Sequence, residues 1–325
     1  MNIDVHIHIV GTGCCNSGIW LAPNFRRRYT FKALRWLLGI SKESLTSTAD
    51  LDWVKRISAM VADSPIDFGV VLGFDGFYDW QDGHRHDQHS QLVVPAEWVF
   101  KVCRDFKNLL PGPSINPFRS DALQQLQFCI DQKAVLIKWL PAAQGIDPTH
   151  VKMAPFFKML ADSGIPLLVH MGGERTFASI MPELNNVDLL AAPLDAGVKV
   201  ICAHSATRII GSSEPDQLPK LKKLLGQYPN LWLDNSGLCN PGRFAHVPKL
   251  AKDPLITERT LYGSDWPVPS NAFYYWRQLG WRQVRALDKN PNMVTRDLTV
   301  KRLLGYPDAT LTRASQVLAN LDHWT

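Results

Sequence analysis

Eight short runs of apolar and β-branched residues recur along this 325-residue chain, and segments long enough for a helix separate most of them. This alternation predicts repeated strand–helix units and a parallel sheet. Eight such units predict an α/β fold closed into a (β/α)₈ barrel, in which functional groups lie at the carboxyl ends of the strands. The predicted strands cover residues 3–9, 68–74, 110–116, 134–140, 166–171, 198–204, 231–235 and 260–265.

A single barrel domain over residues 1–325 fits the composition, because 46% hydrophobic residues can fill a large core. We expect a long lid-like insertion after the first strand, at residues 11–49, and extra helices at residues 295–325. Residues 31–38 of the insertion look amphipathic. They predict a lid or a subunit contact over the barrel mouth, or alternatively a helix that lies on a membrane surface.

Charge and cysteine usage narrow the class of protein. The net charge of +5 is mixed along the chain, so nucleic acid is not an expected partner. No apolar run is long enough to span a membrane, and the chain opens on a strand rather than a signal peptide. None of the six cysteines forms a CxxC pair, which indicates free thiols. We therefore expect a cytoplasmic protein without membrane insertion.

The first predicted strand carries two histidines, His6 and His8, at alternating positions. Residues two apart on a strand point to the same face, so the two imidazoles lie side by side. Neutral imidazoles can grip one divalent ion, although two histidines on a solvated strand face need no ion. Their place on the first strand of a predicted barrel, with more histidines at later strand ends, favours a metal site.

Three later strands also end in a metal-capable side chain. His170 and His204 each close an apolar run, and they come from consecutive strand–helix units. Asp265 lies at the tip of the eighth strand, which is next to the first strand in a closed barrel. We expect Asp265 to bind the ion and accept a proton from water; the alternative is that it caps a helix.

Lys138 lies inside the apolar run at residues 134–140. Burying a charged amine is costly, so burial lowers the pKa of a lysine toward the neutral form. A neutral amine can react with carbon dioxide to give a carbamate, whose oxygens can bridge two cations. Alternatively, the ammonium reaches the barrel mouth and binds a carboxylate or phosphate of the substrate. The sequence leaves both roles open.

The connection at residues 75–95 contains three more histidines, His84, His86 and His89. Such a spacing could bind a metal ion, but no strand geometry fixes these side chains. We therefore interpret the segment as a solvated loop beside the site.

Paired histidines on strand 1, a lysine on strand 4, histidines on strands 5 and 6 and an aspartate on strand 8 resemble the amidohydrolase superfamily. Within it, the chain is most similar to the amidohydrolase 2 group of metal-dependent TIM-barrel hydrolases. The resemblance spans nearly the whole chain, from His6 to Asp265. It implies a divalent metal cofactor, zinc or alternatively manganese, held by His6, His8 and Asp265.

The resemblance leaves the number of ions at one or two. In two-metal members a carboxylated lysine, here Lys138, bridges to a second ion that His170 and His204 hold. In one-metal members His170 completes the first site, and His204 forms a hydrogen bond with the water or the substrate. The segment after Lys138 is closer to that of one-metal relatives.

The resemblance implies hydrolysis of an amide, ester or lactone bond in a small, carboxylated or cyclic substrate. A metal-activated water would attack, with Asp265 as general base and then acid, and with His204 as the second catalytic residue. The group also includes non-oxidative decarboxylases of aromatic or semialdehyde acids, so a decarboxylase is the alternative function. Members of the family often pair, so the resemblance makes a homodimer possible, although the sequence itself leaves the oligomeric state open.

Four further side chains near the predicted strand ends are candidates for substrate binding. The arginines would hold a carboxylate, or else are surface charges on helices. The tryptophans would line the pocket, or else pack in the core. These residues are Arg175, Arg208, Trp139 and Trp266.

Overall fold

The computed structural model describes residues 1–29, 31–32, 35 and 40–325. Within them, eight parallel strands lie where the sequence predicts them, and we number them β1 to β8. They are β1 Ile3–His8, β2 Phe68–Leu72, β3 Leu109–Gly112, β4 Ile137–Trp139, β5 Leu167–His170, β6 Val200–Ala203, β7 Leu231–Asp234 and β8 Thr260–Leu261. The predicted succession of strands is confirmed.

The strands pair in sequence order. A three-stranded sheet contains β1, β2 and β3, and a five-stranded sheet contains β4 to β8. Backbone hydrogen bonds join the two sheets at both edges. The Lys138 amide donates to the Pro113 carbonyl (2.8 Å) beside β3, and the Asp265 amide donates to the His6 carbonyl (2.8 Å) beside β1. This is the strand order of a (β/α)₈ TIM barrel, as predicted.

Helices occupy the connections between the strands. The longer ones are Ala49–Ala62, Ala96–Asp105, Ala122–Asp131, Met153–Ser163, Leu218–Gln227, Trp281–Asp288 and Met293–Leu303. The short α-helices are Pro23–Arg26, Pro141–Gln144, Ala191–Asp195, Val247–Leu250, Pro254–Thr257, Trp276–Leu279, Ala309–Thr312, Ala314–Val317 and Leu321–Trp324. Single turns of 3₁₀-helix are Ser44–Thr46, Pro182–Asn185, Val187–Leu190, His204–Ala206, Phe244–His246 and Phe273–Tyr275. Residues after 292 are thus largely helical.

The apolar side chains of β1 face two different parts of the core. Ile7 and Ile9 pack among residues of the helix Ala49–Ala62, such as Ile57. Ile3 and Val5 instead belong to a cluster with Leu136 and Leu168, which share the inward face of the barrel with Lys138 and His170. The pairing of β1 with β2 shifts register between Asp4 and Ile7. This β-bulge explains why strict alternation fails along the strand.

The insertion after β1 packs against loops at the barrel mouth. A short strand within it, Trp20–Leu21, pairs with Leu92–Val93. The ring of Phe25 stacks on Phe177, which follows β5, with 5.3 Å between ring centroids. The predicted amphipathic segment at residues 31–38 lies mostly outside the described residues. A lid function for residues 11–49 therefore stays a prediction.

The six cysteines are all free, in agreement with their predicted thiol state. Among the residues that the structure describes, no helix is both long enough and apolar enough to cross a membrane.

Candidate metal centre

His6 and His8 point the same way from β1, as their spacing predicts. Their Nε2 atoms lie 3.3 Å apart. The His6 side chain is fully buried, whereas that of His8 is 20% exposed, so the site opens to solvent over His8. The two imidazoles form the floor and the rim of one pocket.

Asp265 completes a trio with these histidines. It follows β8 with a left-handed backbone (φ 65°), and its amide is bound by the His6 carbonyl. Its Oδ1 lies 3.0 Å from Nε2 of His8 and 3.4 Å from Nε2 of His6. Gly237 is required beside it, because a side chain at that position would overlap Oδ2 of Asp265. The glycine lets the carboxylate reach the histidines.

The trio has the dimensions of a metal site. Zinc bonds of 2.0–2.2 Å in a tetrahedron place the ligand atoms about 3.3–3.6 Å apart. The ligand atom of His6 lies 3.3 Å from that of His8 and 3.4 Å from that of Asp265, within this range, whereas His8 and Asp265 are closer, at 3.0 Å. Among the described residues, this is the trio whose ligand atoms converge in this way; the histidines of the loop at residues 75–95 do not join such a group.

A hydrogen bond leaves the converging nitrogen of His6 without hydrogen. Nδ1 of His6 lies 2.8 Å from Oδ2 of Asp234, and it donates to that carboxylate. Nε2 of His6 is therefore a free lone pair that faces the trio. A carboxylate that orients a ligating histidine in this way is common in metal sites. Burial above all lowers the pKa of His6, which keeps the ring neutral and able to bind a cation.

His170 and His204 form a second pair nearby. Nδ1 of His204 lies 2.9 Å from the Ser236 carbonyl, and Nε2 of His170 lies 3.3 Å from the Gly173 carbonyl. Each of these nitrogens must donate to its carbonyl, so the other nitrogen of each ring carries a lone pair. These two, Nε2 of His204 and Nδ1 of His170, face each other at 3.1 Å. Two such lone pairs call for a cation or a proton between them.

Lys138 lies near both pairs of histidines, because besides burial its charge contributes to the lowered pKa of His6, His170 and His204. Its side chain is buried, and its Nζ has no hydrogen-bond partner among the described residues. Burial lowers its pKa to about 8, against the opposing charges of Asp234 and Asp265. An amine with this pKa is partly neutral near physiological pH, so the structure provides the reactive form that carboxylation needs. The protonated form of Lys138 is populated as well, and this ammonium could bind an anionic group of the substrate.

Asp265 is held as a carboxylate. Burial by itself would raise its pKa, but the hydrogen bond with His8 and the positive charge of Arg243 lower it. An ionised Asp265 can bind a cation and accept a proton. The predicted helix-capping alternative has no support, since the Asp265 side chain bonds to His8 instead.

Two buried residues of the centre were not identified from the sequence. Asp234 closes β7, and besides His6 it binds the His204 amide through Oδ1 (2.7 Å). It ends a predicted strand just as Asp265 does, so its position was a usable signal. Arg243 comes from the loop after β7 and contacts Gly173 and Thr207. No spacing rule could have found it.

The four predicted substrate-binding residues fall into two groups. Arg175 and Arg208 are exposed on the loops that follow β5 and β6. Trp139 is fully buried on the helix side of β4, where its indole donates to the Ile115 carbonyl (2.8 Å). Trp266 is also buried, against Trp53. The tryptophans therefore pack in the core, which is the alternative that their sequence positions allowed.

The fold and the site together define an α/β barrel with a group of side chains that could hold a metal ion at the carboxyl ends of its strands. The family model for amidohydrolases of the amidohydrolase 2 type matches residues 3–298. The chain therefore belongs to the amidohydrolase family of enzymes, and the predicted family is confirmed.

Solved structures with the same fold cover almost the whole chain. An uncharacterised TIM-barrel protein from Bordetella bronchiseptica is 17% identical, with a TM-score of 0.59 over 97% of this chain and 99% of the other. A protein from Pseudomonas putida, provisionally assigned as a 2-pyrone-4,6-dicarboxylic acid hydrolase, is 14% identical, with a TM-score of 0.57 over 99% and 96%. An amidohydrolase from Burkholderia multivorans is 12% identical, with a TM-score of 0.50 over 94% and 100%. No curated protein matched the chain.

Proposed function

We propose that this protein is a metal-dependent hydrolase that cleaves an amide, ester or lactone bond of a small, carboxylated or cyclic substrate. The observation that carries the proposal is the trio of His6, His8 and Asp265, whose ligand atoms converge to within 3.4 Å of one another. Nitrogen and carboxylate ligands in this number suit zinc, with manganese as the alternative. A bound ion supplies Lewis-acid activation of water and of the scissile carbonyl.

The side chains of the site divide the remaining work. Asp265 accepts the proton of the attacking water and returns it to the leaving group, because its carboxylate lies at the site and is ionised. His204 turns a bare Nε2 toward His170, where it binds a cation or accepts a hydrogen bond from water. Asp234 holds both His6 and the His204 backbone in place. Together they preorganise the site before a substrate arrives.

The substrate class rests on the family and on the cations near the histidines of the centre. The provisional name of the Pseudomonas putida protein denotes a cyclic substrate with two carboxylic acids, and this is the kind of molecule that we propose. Lys138 presents a buried amine near these histidines, which would receive an anionic group if it is not carboxylated.

Metal analysis of purified variants tests the proposal. We expect the wild-type protein to retain zinc or manganese after dialysis, and His6→Ala and Asp265→Asn to lose it. His84→Ala and Asp322→Asn are matched controls, because both residues are exposed. Unchanged metal content in both site variants would refute the proposed centre. Acid release from a panel of lactones, esters and amides then supports a hydrolase, whereas carbon dioxide from aromatic acids would assign a decarboxylase.

A further inference from the structure

Arg243 places a buried guanidinium in the wall of the metal centre. The residue is only 4% exposed. Its Nη2 donates to the Gly173 carbonyl, and its Nε donates to the Thr207 carbonyl (3.4 Å). These carbonyls belong to the loops that follow β5 and β6, so one side chain spans two loops at the carboxyl end of the barrel.

The guanidinium is next to the paired histidines. The Gly173 carbonyl that accepts from Arg243 also lies 3.3 Å from Nε2 of His170. A single oxygen atom thus separates the guanidinium from that ring. On the other side, the Thr207 hydroxyl donates to the His204 carbonyl (2.8 Å). Besides burial, the charge of Arg243 contributes to the lowered pKa of both His170 and His204, so the guanidinium lies close to these two proposed metal ligands.

Arg243 has no direct counter-charge among the described residues. Its two hydrogen bonds go to neutral carbonyls, and Nη1 has no protein acceptor in that part of the chain. The nearby Glu174 is engaged elsewhere, because its Oε1 accepts the amides of Thr176 and Phe177 and its Oε2 lies 3.5 Å from Nε2 of His170. Glu214 likewise accepts from Ser212 (3.1 Å). Both carboxylates act on Arg243 from beyond ion-pair distance.

A buried cation without a partner carries a large desolvation cost. Burial lowers the pKa of Arg243 against the pull of Glu174 and Asp265, which reflects the same cost. A guanidinium also offers five N–H donors in a planar fork that matches a carboxylate. An anion that binds the open Nη1 edge would supply the missing charge.

We propose that Arg243 is the substrate-binding cation of this centre and that it receives a carboxylate carried beside the bond to be cleaved. The inference rests on the proposed function, in that it takes the metal centre as the active site. It narrows the substrate class to anionic molecules, because a neutral substrate leaves the guanidinium unpaired. The exposed Arg175 and Arg208 are solvated, and solvated charges contribute little to affinity.

Two ligands of the same shape test the assignment. Isophthalate has two carboxylates, whereas in 3-carbamoylbenzoate a neutral amide replaces one of them. Calorimetry with metal-loaded protein measures the affinity for each ligand. We expect wild-type protein to prefer isophthalate. Arg243→Gln should reduce that preference by about tenfold to a hundredfold, as expected for a charged hydrogen bond. Arg243→Lys should retain part of it, and the exposed Arg285→Gln should retain all of it.

Several results would overturn the assignment. The first is that Arg243→Gln still prefers isophthalate over 3-carbamoylbenzoate as strongly as the wild-type protein does. The second is that the wild-type protein does not bind isophthalate, or binds it no more tightly than 3-carbamoylbenzoate. A purely structural role predicts that both affinities and the metal content fall together while the preference stays constant. If Arg243→Gln does not fold, a crystal structure of wild-type protein with bound isophthalate replaces the variant. The assignment predicts that one carboxylate of isophthalate contacts Nη1 of Arg243. A structure in which neither carboxylate contacts Nη1 would overturn it.

The binding preference is separate from turnover. Failure of the proposed function would appear as wild-type protein that holds no metal or hydrolyses nothing. Failure of the Arg243 assignment would appear in the ratio of the two affinities alone.

Discussion

The two halves of the centre differ in how complete they are. On the side of β1 and β8, His6, His8 and Asp265 bring three ligand atoms together at 3.0–3.4 Å, with Asp234 behind them. On the side of β5 and β6, two bare ring nitrogens face each other at 3.1 Å, and the described residues supply no third ligand there.

The buried amine of Lys138 is the candidate that could complete the second half. As an ammonium it repels a metal ion, whereas as a carbamate it supplies oxygen ligands. The first half can therefore hold an ion with unmodified side chains. The second half needs either a carboxylated Lys138 to complete a metal site or a proton between its two ring nitrogens.

The largest effect is expected from a ligand of the first half. His8→Ala should weaken zinc binding by more than about a hundredfold, because even residues that only orient a ligand cost tenfold to a hundredfold. His170→Ala should weaken the first equivalent of zinc far less. Competition with a zinc-sensitive chelator measures both variants. Equal losses would show that His170 belongs to the first site, as in a one-metal arrangement.

A smaller effect is expected from the residue behind the first half. Asp234→Asn keeps the size of the side chain but replaces the carboxylate that accepts from Nδ1 of His6. Zinc affinity should fall by about tenfold to a hundredfold. The same chelator competition measures the change, with Asp322→Asn as the control. Wild-type affinity in Asp234→Asn would mean that the ring orientation of His6 does not depend on this carboxylate.

Lys138→Met tests the second half directly. The neutral amine attacks carbon dioxide, a nitrogen–carbon bond forms and a proton leaves. Carboxylation therefore predicts a second equivalent of zinc in wild-type protein with bicarbonate present, and one equivalent in Lys138→Met. Metal analysis and ¹³C NMR with labelled bicarbonate provide the measurements. One equivalent in both proteins, without a carbamate signal, would assign the amine to substrate binding instead.

The smallest effect is expected outside both halves. Trp139→Phe removes the hydrogen bond to the Ile115 carbonyl and should lower the free energy of unfolding by about 1 kcal/mol. Urea unfolding measures the loss. Metal content and the affinity for isophthalate should stay at their wild-type values. A weaker affinity for isophthalate at an unchanged free energy of unfolding would indicate that Trp139 lines the substrate pocket after all.

Side chains on the strands or just after them could be predicted, with the exception of Asp234 at the end of β7, whereas Arg243 on a longer loop could not. His6, His8, Lys138 and His170 follow from strand periodicity and from the rule that parallel strands share one functional edge. Arg243 reaches the centre only because the loop after β7 folds back toward Gly173. The β-bulge between Asp4 and Ile7 depends on pairing with a distant strand. Neither has a local sequence pattern.

The alternation of side chains along a strand also explains why Trp139 packs in the core. Trp139 and Trp266 both lie next to predicted ligands in sequence, but of the two only Trp139 is on a strand, where neighbours point to opposite faces. A large aromatic residue beside an inward-facing Lys138 therefore packs against the helices, as Trp139 does. Proximity in sequence to the site was thus the weaker guide, and alternation was the stronger one.

The most direct test of the central claim is anomalous diffraction at the zinc edge from crystals of the metal-loaded wild-type protein. The account predicts a peak within about 2.0–2.2 Å of Nε2 of His6, Nε2 of His8 and Oδ1 of Asp265. A protein saturated with zinc whose anomalous peaks all lie away from these three atoms would contradict it.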